Sequence, residues 1–399
     1  MLFRFGEQSI DTDRRELRCA GELVPVGPQV FDLLVYLIRN RDRVVTKDDL
    51  LEGVWGGRIV SESTLTSRIN AARRAIGDSG ARQSLIKTSA RKGIRFVAAI
   101  QDAEGSRPAA AVPPPQSPAA GLHQEVKFCT ASDGVRIAYA AVGEGPPLVK
   151  TANWLNHLEY DWHSPIWSHL LQAVAAKYRL IRYDARGNGL SDWDVDDISL
   201  DAFVRDLECV VDANGLERFP LLGISQGCAV SIAYAVRHPE RVSHLILYGG
   251  FARGTRHRGR QAEVELSNAL GTLIRQGWGQ DNPAFRQLFT SLFMPGATAE
   301  QAQWYNDLQR MTTSPENAAR IRYAVSDIDV SGLLASVRVP TLVLHCRNDS
   351  LQPFEEGRQM AAGIVGSRFV ALEGHNHLIL EHEPAWGRLL DEVTRFLEC

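Results

Sequence analysis

The chain of 399 residues has no apolar run of about 18 residues, the least that a membrane-spanning helix needs. Its opening, MLFRFGEQSIDTD, shows no apolar stretch behind basic residues, so no secretory leader is expected. Cysteines number only six, none of them in a CxxC spacing. That excludes a disulfide scaffold and a cysteine-built zinc or redox centre, and free thiols in a reducing cytoplasm are expected. No metal-ligand spacing or nucleotide-cofactor loop is visible, so no cofactor is expected. Neither sign of charge dominates, with 44 Lys and Arg against 47 Asp and Glu. A composition 44% hydrophobic and 23% charged is that of a globular chain, not of a disordered or collagen-like one.

The near-balance of charge conceals an asymmetry. Residues 1–100 carry 17 Lys and Arg against 12 Asp and Glu, whereas the remaining 299 carry 27 against 35. A small basic region therefore precedes a larger acidic one, and basic charge favours a polyanionic partner. Between them runs QDAEGSRPAAAVPPPQSPAAGLHQ, residues 101–124, which holds five of the eighteen prolines and has no apolar periodicity. Such a segment cannot bury a core and reads as a semi-extended linker. Two domains are expected, at residues 1–100 and 125–399.

In the first domain, LFRF and ELRCAGELVPV read as short strands. Pro28 suits a helix start, and Val30, Phe31, Leu34, Val35, Leu37 and Ile38 then recur at helical spacing. Thr46 followed by Asp49 is close to a capping box for a second helix, which Gly56-Gly57 breaks. A third helix is expected to start at a Ser61 or Ser63 cap, to bury Leu65, Ile69, Ala72 and Ile76, and to end at Gly77. LIKTSARKGIRFVAAI reads as two strands around Arg91-Lys92-Gly93. Strands, three helices and a terminal hairpin describe an α+β winged helix.

The segments VFDLLVYLIRN, LLEGVWG, VSESTLTSRINAARRAIGD and LIKTSARKGIRFV occur in the order found in the C-terminal effector domain of OmpR/PhoB-type response regulators. Nearly all of residues 1–100 resembles that domain. The resemblance implies that the third helix enters the major groove of double-stranded DNA. Ser63, Thr66, Ser67, Arg68, Asn70 and Arg74 would face the DNA there. Asn70 suits an adenine edge and Arg68 a guanine edge, because each side chain can bond two groups at once. Thr64, Thr88, Arg91 and Lys92 would contact phosphates, which position the protein without reading sequence. The wing departs from the family's usual Gly-x-Gly-Tyr, with Ala90 and Ile94 in ARKGI. Arg73 is a candidate for a surface ion pair within the domain. No receiver domain is visible ahead of this one, so its control is expected in residues 125–399 or in another protein.

The second domain alternates strand and helix. VKFCTAS, RIAYAAVG, PLVKTA, YRLIRYD, FPLLGIS, SHLILYGG, PTLVLHC and SRFVALEG are strand-like, and helical segments separate most of them. This pattern predicts a mostly parallel sheet covered on both faces. FPLLGISQGCAVSIAYAVRHP runs from an apolar strand through Gly223-Ile224-Ser225-Gln226-Gly227 into a helix, the nucleophile-elbow pattern. A side chain at either flanking glycine would clash in so tight a turn, and the helix N-terminus beneath favours developing negative charge. A serine needs a base and the base an orienting acid, in the chain order Ser, Asp or Glu, His. Asp349 follows one strand, and His375 and His377 follow the last.

Residues 126–399 resemble the α/β-hydrolases, with RYDARGNGLSD at 182–192 and PERVSHLILYGG as further marks. The resemblance implies Ser225 as nucleophile and Asp349 as the acid. It implies His377 as base, since the family's histidine has a proline seven residues on, here Pro384; His375 is then a neighbour. It also implies a helical cap at about 255–335 that shapes the pocket, and a fold-maintaining role for Asp184. Cys228 reads as helix packing. The oxyanion donors would be the backbone N–H groups of Gln226 and Trp154. PLVKTANWLNH lacks the usual His-Gly pair, and Asn153 takes the glycine's place. Trp278, Phe285, Phe289, Phe293, Trp304 and Tyr305 suit either cap core or ligand wall.

Together these features predict a one-component, DNA-binding transcription regulator, cytoplasmic and homodimeric, with no membrane partner. Its hydrolase-like domain would sense, and in one version hydrolyse, a small organic ligand or acyl substrate. Two alternatives stand beside it: a serine hydrolase with an accessory DNA-binding domain, and a catalytically dead hydrolase fold acting as a dimerisation module.

Overall fold

The computed structural model describes residues 2–398 except 7, 13, 20, 25, 42, 56–61, 79–81, 90–92, 99, 103–123, 279, 281 and 283. For Ser63, Thr64, Thr66 and Ser67, among others, it describes the backbone alone. Two compact units, Met1–Gln116 and Ser117–Cys399, make up the chain.

In the first unit, β1 (Leu2–Phe5), β2 (Gln8–Asp11), β3 (Glu16–Cys19) and β4 (Glu22–Val24) form an antiparallel meander. Helices α1 (Pro28–Arg39), α2 (Lys47–Trp55) and α3 (Glu62–Ala75) follow, and then the hairpin β5 (Ile86–Ser89) and β6 (Gly93–Phe96). The short β7 (Gln101–Asp102) pairs with β1 on the edge opposite β2. Backbone pairing therefore carries the first domain to Asp102, two residues into the segment assigned to the linker. The rest of that segment, 103–123, lies outside the described residues. This is a winged-helix arrangement.

Local chemistry explains the helices. Pro28 occupies the first turn of α1, and the Thr46 hydroxyl accepts from the Asp49 N–H (3.1 Å) while the Asp49 carboxylate accepts from the Thr46 N–H (2.8 Å). Gly77 adopts φ 73° just beyond α3, a conformation that favours glycine. Because α3 begins at Glu62, Ser63 lies inside the helix and cannot cap it; Ser61 is outside the described residues. Arg73 is a second correction. It is buried on the core side of α3, where its guanidinium donates to the Ile86 carbonyl and the Thr88 hydroxyl (3.1 and 2.7 Å), so it braces β5 and, among the described residues, forms no surface pair. Phe5 and Phe96 meet edge to face at 5.1 Å in the core between sheet and hairpin.

The second unit is an eight-stranded sheet in the order β15-β14-β13-β12-β10-β11-β9-β8. Its strands are β8 (Glu125–Thr130), β9 (Arg136–Val142), β10 (Pro147–Lys150), β11 (Arg179–Tyr183), β12 (Phe219–Ile224), β13 (Val242–Tyr248), β14 (Thr341–Cys346) and β15 (Arg368–Leu372). From β10 and β11 through to β15 the pairing is parallel; β8 and β9 join antiparallel at one edge. Helices α4 (Leu158–Trp162), α5 (Ser168–Ala175), α6 (Leu200–Ala213), α7 (Gln226–Arg237), α12 (Phe354–Gly363) and α13 (Pro384–Leu397) accompany the strands. Between β13 and β14 an insertion contributes α8 (Gln261–Gly277), α9 (Ala284–Phe293), α10 (Ala299–Thr312) and α11 (Pro315–Ser326). Caps again mark the starts. Ser199 accepts from the Ala202 N–H before α6, Thr298 and Gln301 form a full capping box on α10, and Ser314 with Pro315 opens α11.

Two buried residues fix the loop after β11. Asp184 accepts from the side chain of Asn156 and from the N–H groups of Leu158 and Leu190. Arg186 is fully buried and donates to Asp206 on α6 (2.7 Å) and to Asp133 (2.7 Å). Removing one partner of a buried pair leaves an uncompensated charge. Arg186→Met is therefore expected to lower the stability of this domain by about 3–5 kcal/mol, read by denaturant unfolding. A loss below about 1 kcal/mol, the range of surface pairs, would contradict the assignment.

Candidate active site and nucleic-acid interface

Ser225 follows β12, at the middle of the sheet, and immediately precedes α7. It adopts φ 55° and ψ −125°, one of only four positive φ values among the described non-glycine residues. The flanking glycines leave no room for a side chain: a Cβ on Gly223 would lie 2.7 Å from the Gly227 carbonyl oxygen, and one on Gly227 3.0 Å from that of Ala152. Strain of this kind is worth about 1–3 kcal/mol and persists where surrounding structure imposes it. Here the Ser225 N–H donates to the Tyr248 carbonyl (2.9 Å) and the Ser225 carbonyl accepts from Cys228 (3.0 Å). Cys228 itself is fully buried, with its Sγ against the Gly223 carbonyl (3.2 Å).

The loops after β14 and β15 bring Asp349 and His377 to the same end of the sheet. The Ser225 hydroxyl donates to His377 Nε2 (2.9 Å), and His377 Nδ1 donates to Asp349 Oδ2 (2.9 Å). This pair of bonds fixes the tautomer with the proton on Nδ1. Both side chains are shut off from solvent. Asp349 Oδ1 also accepts from the N–H groups of Leu351 and Gln352, at 2.9 Å each. Burial pushes the Asp349 pKa up, but the charges of His377 and His345, together with these donors, outweigh it and hold the carboxyl below its ordinary value. His345, not anticipated from the sequence, is buried with Nε2 3.6 Å from Asp349 Oδ2. The His375 side chain is exposed and makes no hydrogen bond to Ser225 or Asp349; its backbone carbonyl accepts from Ser350.

The insertion ties this site together. The His377 N–H donates to the carbonyl of Phe293, the last residue of α9, and the Ser350 hydroxyl donates to that of Leu292. The loops that carry the acid and the base are thus both fastened to one end of α9. Ser225, Gln226 and Trp154 share a cavity with Phe289, Phe293 and Leu270 that encloses about 450 Å³, open solvent at its mouth included. Phe289 and Phe293 are therefore both core and wall. Trp278 packs behind, edge to face with Trp154 (6.1 Å) and with Phe289 (5.8 Å).

Gln226 is the first residue of α7, so its N–H is among the donors that no helical carbonyl satisfies. In the loop after β10, the left-handed conformation falls on Leu155 (φ 52°), and Asn153 needs no glycine-like backbone. The Asn153 side chain acts as a clamp. Its Oδ1 accepts from Lys150 Nζ (2.5 Å) and its Nδ2 donates to the Trp154 carbonyl (3.1 Å). Burial holds Lys150 below the usual lysine range, with Asp161 opposing that shift. A sequence reading that treats lysine as a surface residue misses it.

On α3 the buried face carries Leu65, Ala72 and Arg73, while Asn70 and Arg74 are exposed and Arg68 is half-buried. Asn70 and Arg74, four residues apart, share a face. Only the backbone describes Ser63, Thr64, Thr66 and Ser67, all within α3, and Arg91 and Lys92 lie outside the described residues. Thr88 is exposed on β5, its hydroxyl already engaged by Arg73. Among the described residues, no helix is long and apolar enough to cross a membrane, and no group of three or more His, Cys, Asp or Glu could hold a metal.

Comparison with known proteins places these features. Residues 155–384 match the family model of the alpha/beta hydrolase fold, and residues 21–96 match that of the C-terminal domain of transcriptional regulatory proteins, the OmpR/PhoB-type DNA-binding domain. AB hydrolase superfamily protein YisY of Bacillus subtilis is 27% identical over 249 residues, covering 59% of this chain and 86% of that protein. Among solved structures, the esterase EaEST of Exiguobacterium antarcticum superposes with a TM-score of 0.58 at 25% identity, covering 68% of this chain and 99% of its own. The esterase RhEst1 of Rhodococcus sp. ECU1013 gives 0.56 at 25% identity, covering 68% and 98%.

Two measurements follow from the geometry. A serine-directed fluorophosphonate is expected to add one label to the wild-type chain by intact mass, and none to Ser225→Ala or His377→Ala. Lys150→Met is expected to slow the labelling about 10- to 100-fold by freeing Asn153 and the Trp154 backbone. Labelling that survives Ser225→Ala, or is indifferent to Lys150, would contradict this arrangement.

Proposed function

Since the chain belongs to the alpha/beta hydrolase fold family and carries a regulatory DNA-binding domain, we propose that it is a one-component transcription regulator that senses, and turns over, a small acyl ligand. One observation carries the reading: a Ser225–His377–Asp349 relay faces a capped cavity on the same chain as a DNA reader. The ligand would be an ester, lactone or amide. His377 takes the proton as Ser225 Oγ attacks the acyl carbon, and returns it to the leaving group; water then releases the acyl group by the same relay. The N–H groups of Gln226 and Trp154 would receive the oxyanion.

The DNA-binding residues are Ser63, Thr66, Ser67, Arg68, Asn70 and Arg74 on α3, with Thr64, Thr88, Arg91 and Lys92 on phosphates. Two copies of the chain would occupy paired half-sites on double-stranded DNA. Occupancy of the cavity biases α9, to which both catalytic loops are tied, and so shifts DNA affinity through a coupling free energy.

A second reading rests on the same relay: a serine hydrolase in which the DNA-binding domain is accessory. Selection from a random duplex pool with the full-length chain separates the two. The regulator is expected to enrich a defined site. Arg68→Ala or Asn70→Ala should then weaken that site by about 1–3 kcal/mol, measured by gel shift, and relax the choice of base at one position. A chain that enriches no sequence, while Ser225 still hydrolyses esters, would leave only the enzyme.

A further inference from the structure

Arg322, on α11, lines the same cavity as Ser225. Arginines nearby are all engaged. Arg253 pairs with Glu356 (3.0 Å), Arg256 with Asp327 (3.0 Å), Arg258 donates to Gln352 (2.6 Å), and Arg320 donates to the Val195 carbonyl (2.8 Å). The Arg322 guanidinium has no hydrogen-bond, ion-pair or aromatic partner among the described residues. Its side chain is half-buried and lines the cavity. Burial brings its pKa down to about 10, helped by the positive charge of Arg258, so it remains a cation at neutral pH. A partly desolvated cation without a counter-charge is costly, and a ligand anion is the natural compensation.

A second group points the same way. Gln352 is buried and lines this cavity, and its Oε1 accepts from Arg258 Nη2 at 2.6 Å. That bond turns the amide so that its N–H₂ group, which has no partner among the described residues, is left to donate. The main chain of Gln352 is fixed as well: its N–H donates to Asp349 (2.9 Å) and its carbonyl accepts from His345 (3.1 Å). Leu270, Phe289, Leu292, Phe293 and Val325 make the remaining wall apolar.

We propose that Arg322 and Gln352 form an anion subsite in the Ser225 cavity, so that the ligand is a carboxylate-bearing acyl compound. Its hydrocarbon spine would lie along the apolar wall, with the carboxylate on the Arg322 fork and the scissile acyl carbon at Ser225. A single cation and one neutral amide suit a monoanion, and the planar guanidinium matches a carboxylate edge. This rests on the cavity being the ligand site proposed above, but does not require Ser225 to turn the ligand over.

Isothermal titration of full-length Ser225→Ala tests it without turnover. The probes are the monomethyl esters of succinate, glutarate and adipate, each against its uncharged dimethyl ester. For at least one chain length the monoacid is expected to bind about 10-fold or more tightly than the diester, the range of a charge-assisted hydrogen bond. Arg322→Met, and Arg322→Gln as a second variant, should erase the difference, and Gln352→Leu should reduce it. Because Arg322 has no partner among the described residues, its removal should leave the melting temperature unchanged or higher, whereas a structural arginine would lower it. The proposal is overturned if no monoacid binds more tightly than its diester, or if the preference survives Arg322→Met. Failure of the catalytic reading is seen separately, as a wild-type chain that does not take the fluorophosphonate label.

Discussion

The backbone of Ser225 is the constraint on which the second domain is organised. A non-glycine residue at φ 55° is unfavourable by itself, and it is held by the bond from its N–H to Tyr248 on the neighbouring strand and by the closeness of Gly223 to Gly227. A central position for β12 supplies both neighbours. The strand order reverses direction next to it, which opens the crevice where parallel sheets bind ligands. Asp349 and His377 then need only to follow strands that end on the same side. Tyr248 joins the two ends of this arrangement, since its hydroxyl donates to the His377 carbonyl (2.8 Å).

What the inserted helices add is a link between the cavity wall and the relay. The end of α9 supplies the carbonyls of Leu292 and Phe293 to the acid and base loops, and the side chains of Phe289, Leu292 and Phe293 line the cavity. In the proposed function, a ligand pressing on this wall would act on the groups that set the geometry of His377. In this account, sensing and chemistry share one element, and no separate effector site is required.

Much of this was legible in the sequence because local chemistry determined it. Gly-Ile-Ser-Gln-Gly between an apolar strand and a helix and the Thr46 and Asp49 pair each state their structure within a few positions, whereas the choice of His377 over His375 came from the resemblance to the α/β-hydrolases. What escaped was set by contacts distant in the chain. Arg73 reads as a surface residue until the Ile86 carbonyl and Thr88 are placed against it. The charges of Lys150 and Arg322 ordinarily mean solvent, and only the folded arrangement buries the first and places the second at the cavity. Ser63 was misread as a cap because Ser61 and Ser63 both offer a hydroxyl, and the first turn of α3 begins one residue before Ser63. The joining of Gln101 and Asp102 to β1 carries no composition signal, since backbone pairing alone defines it.

The central claim is that the state of the Ser225 cavity is felt at the DNA. The most direct test is the affinity of the full-length chain for its selected duplex, measured before and after stoichiometric phosphonylation of Ser225, at one fixed salt concentration. The account predicts a change of about 5-fold or more, the lower end of ordinary allosteric coupling. Identical affinity in the two states would contradict it.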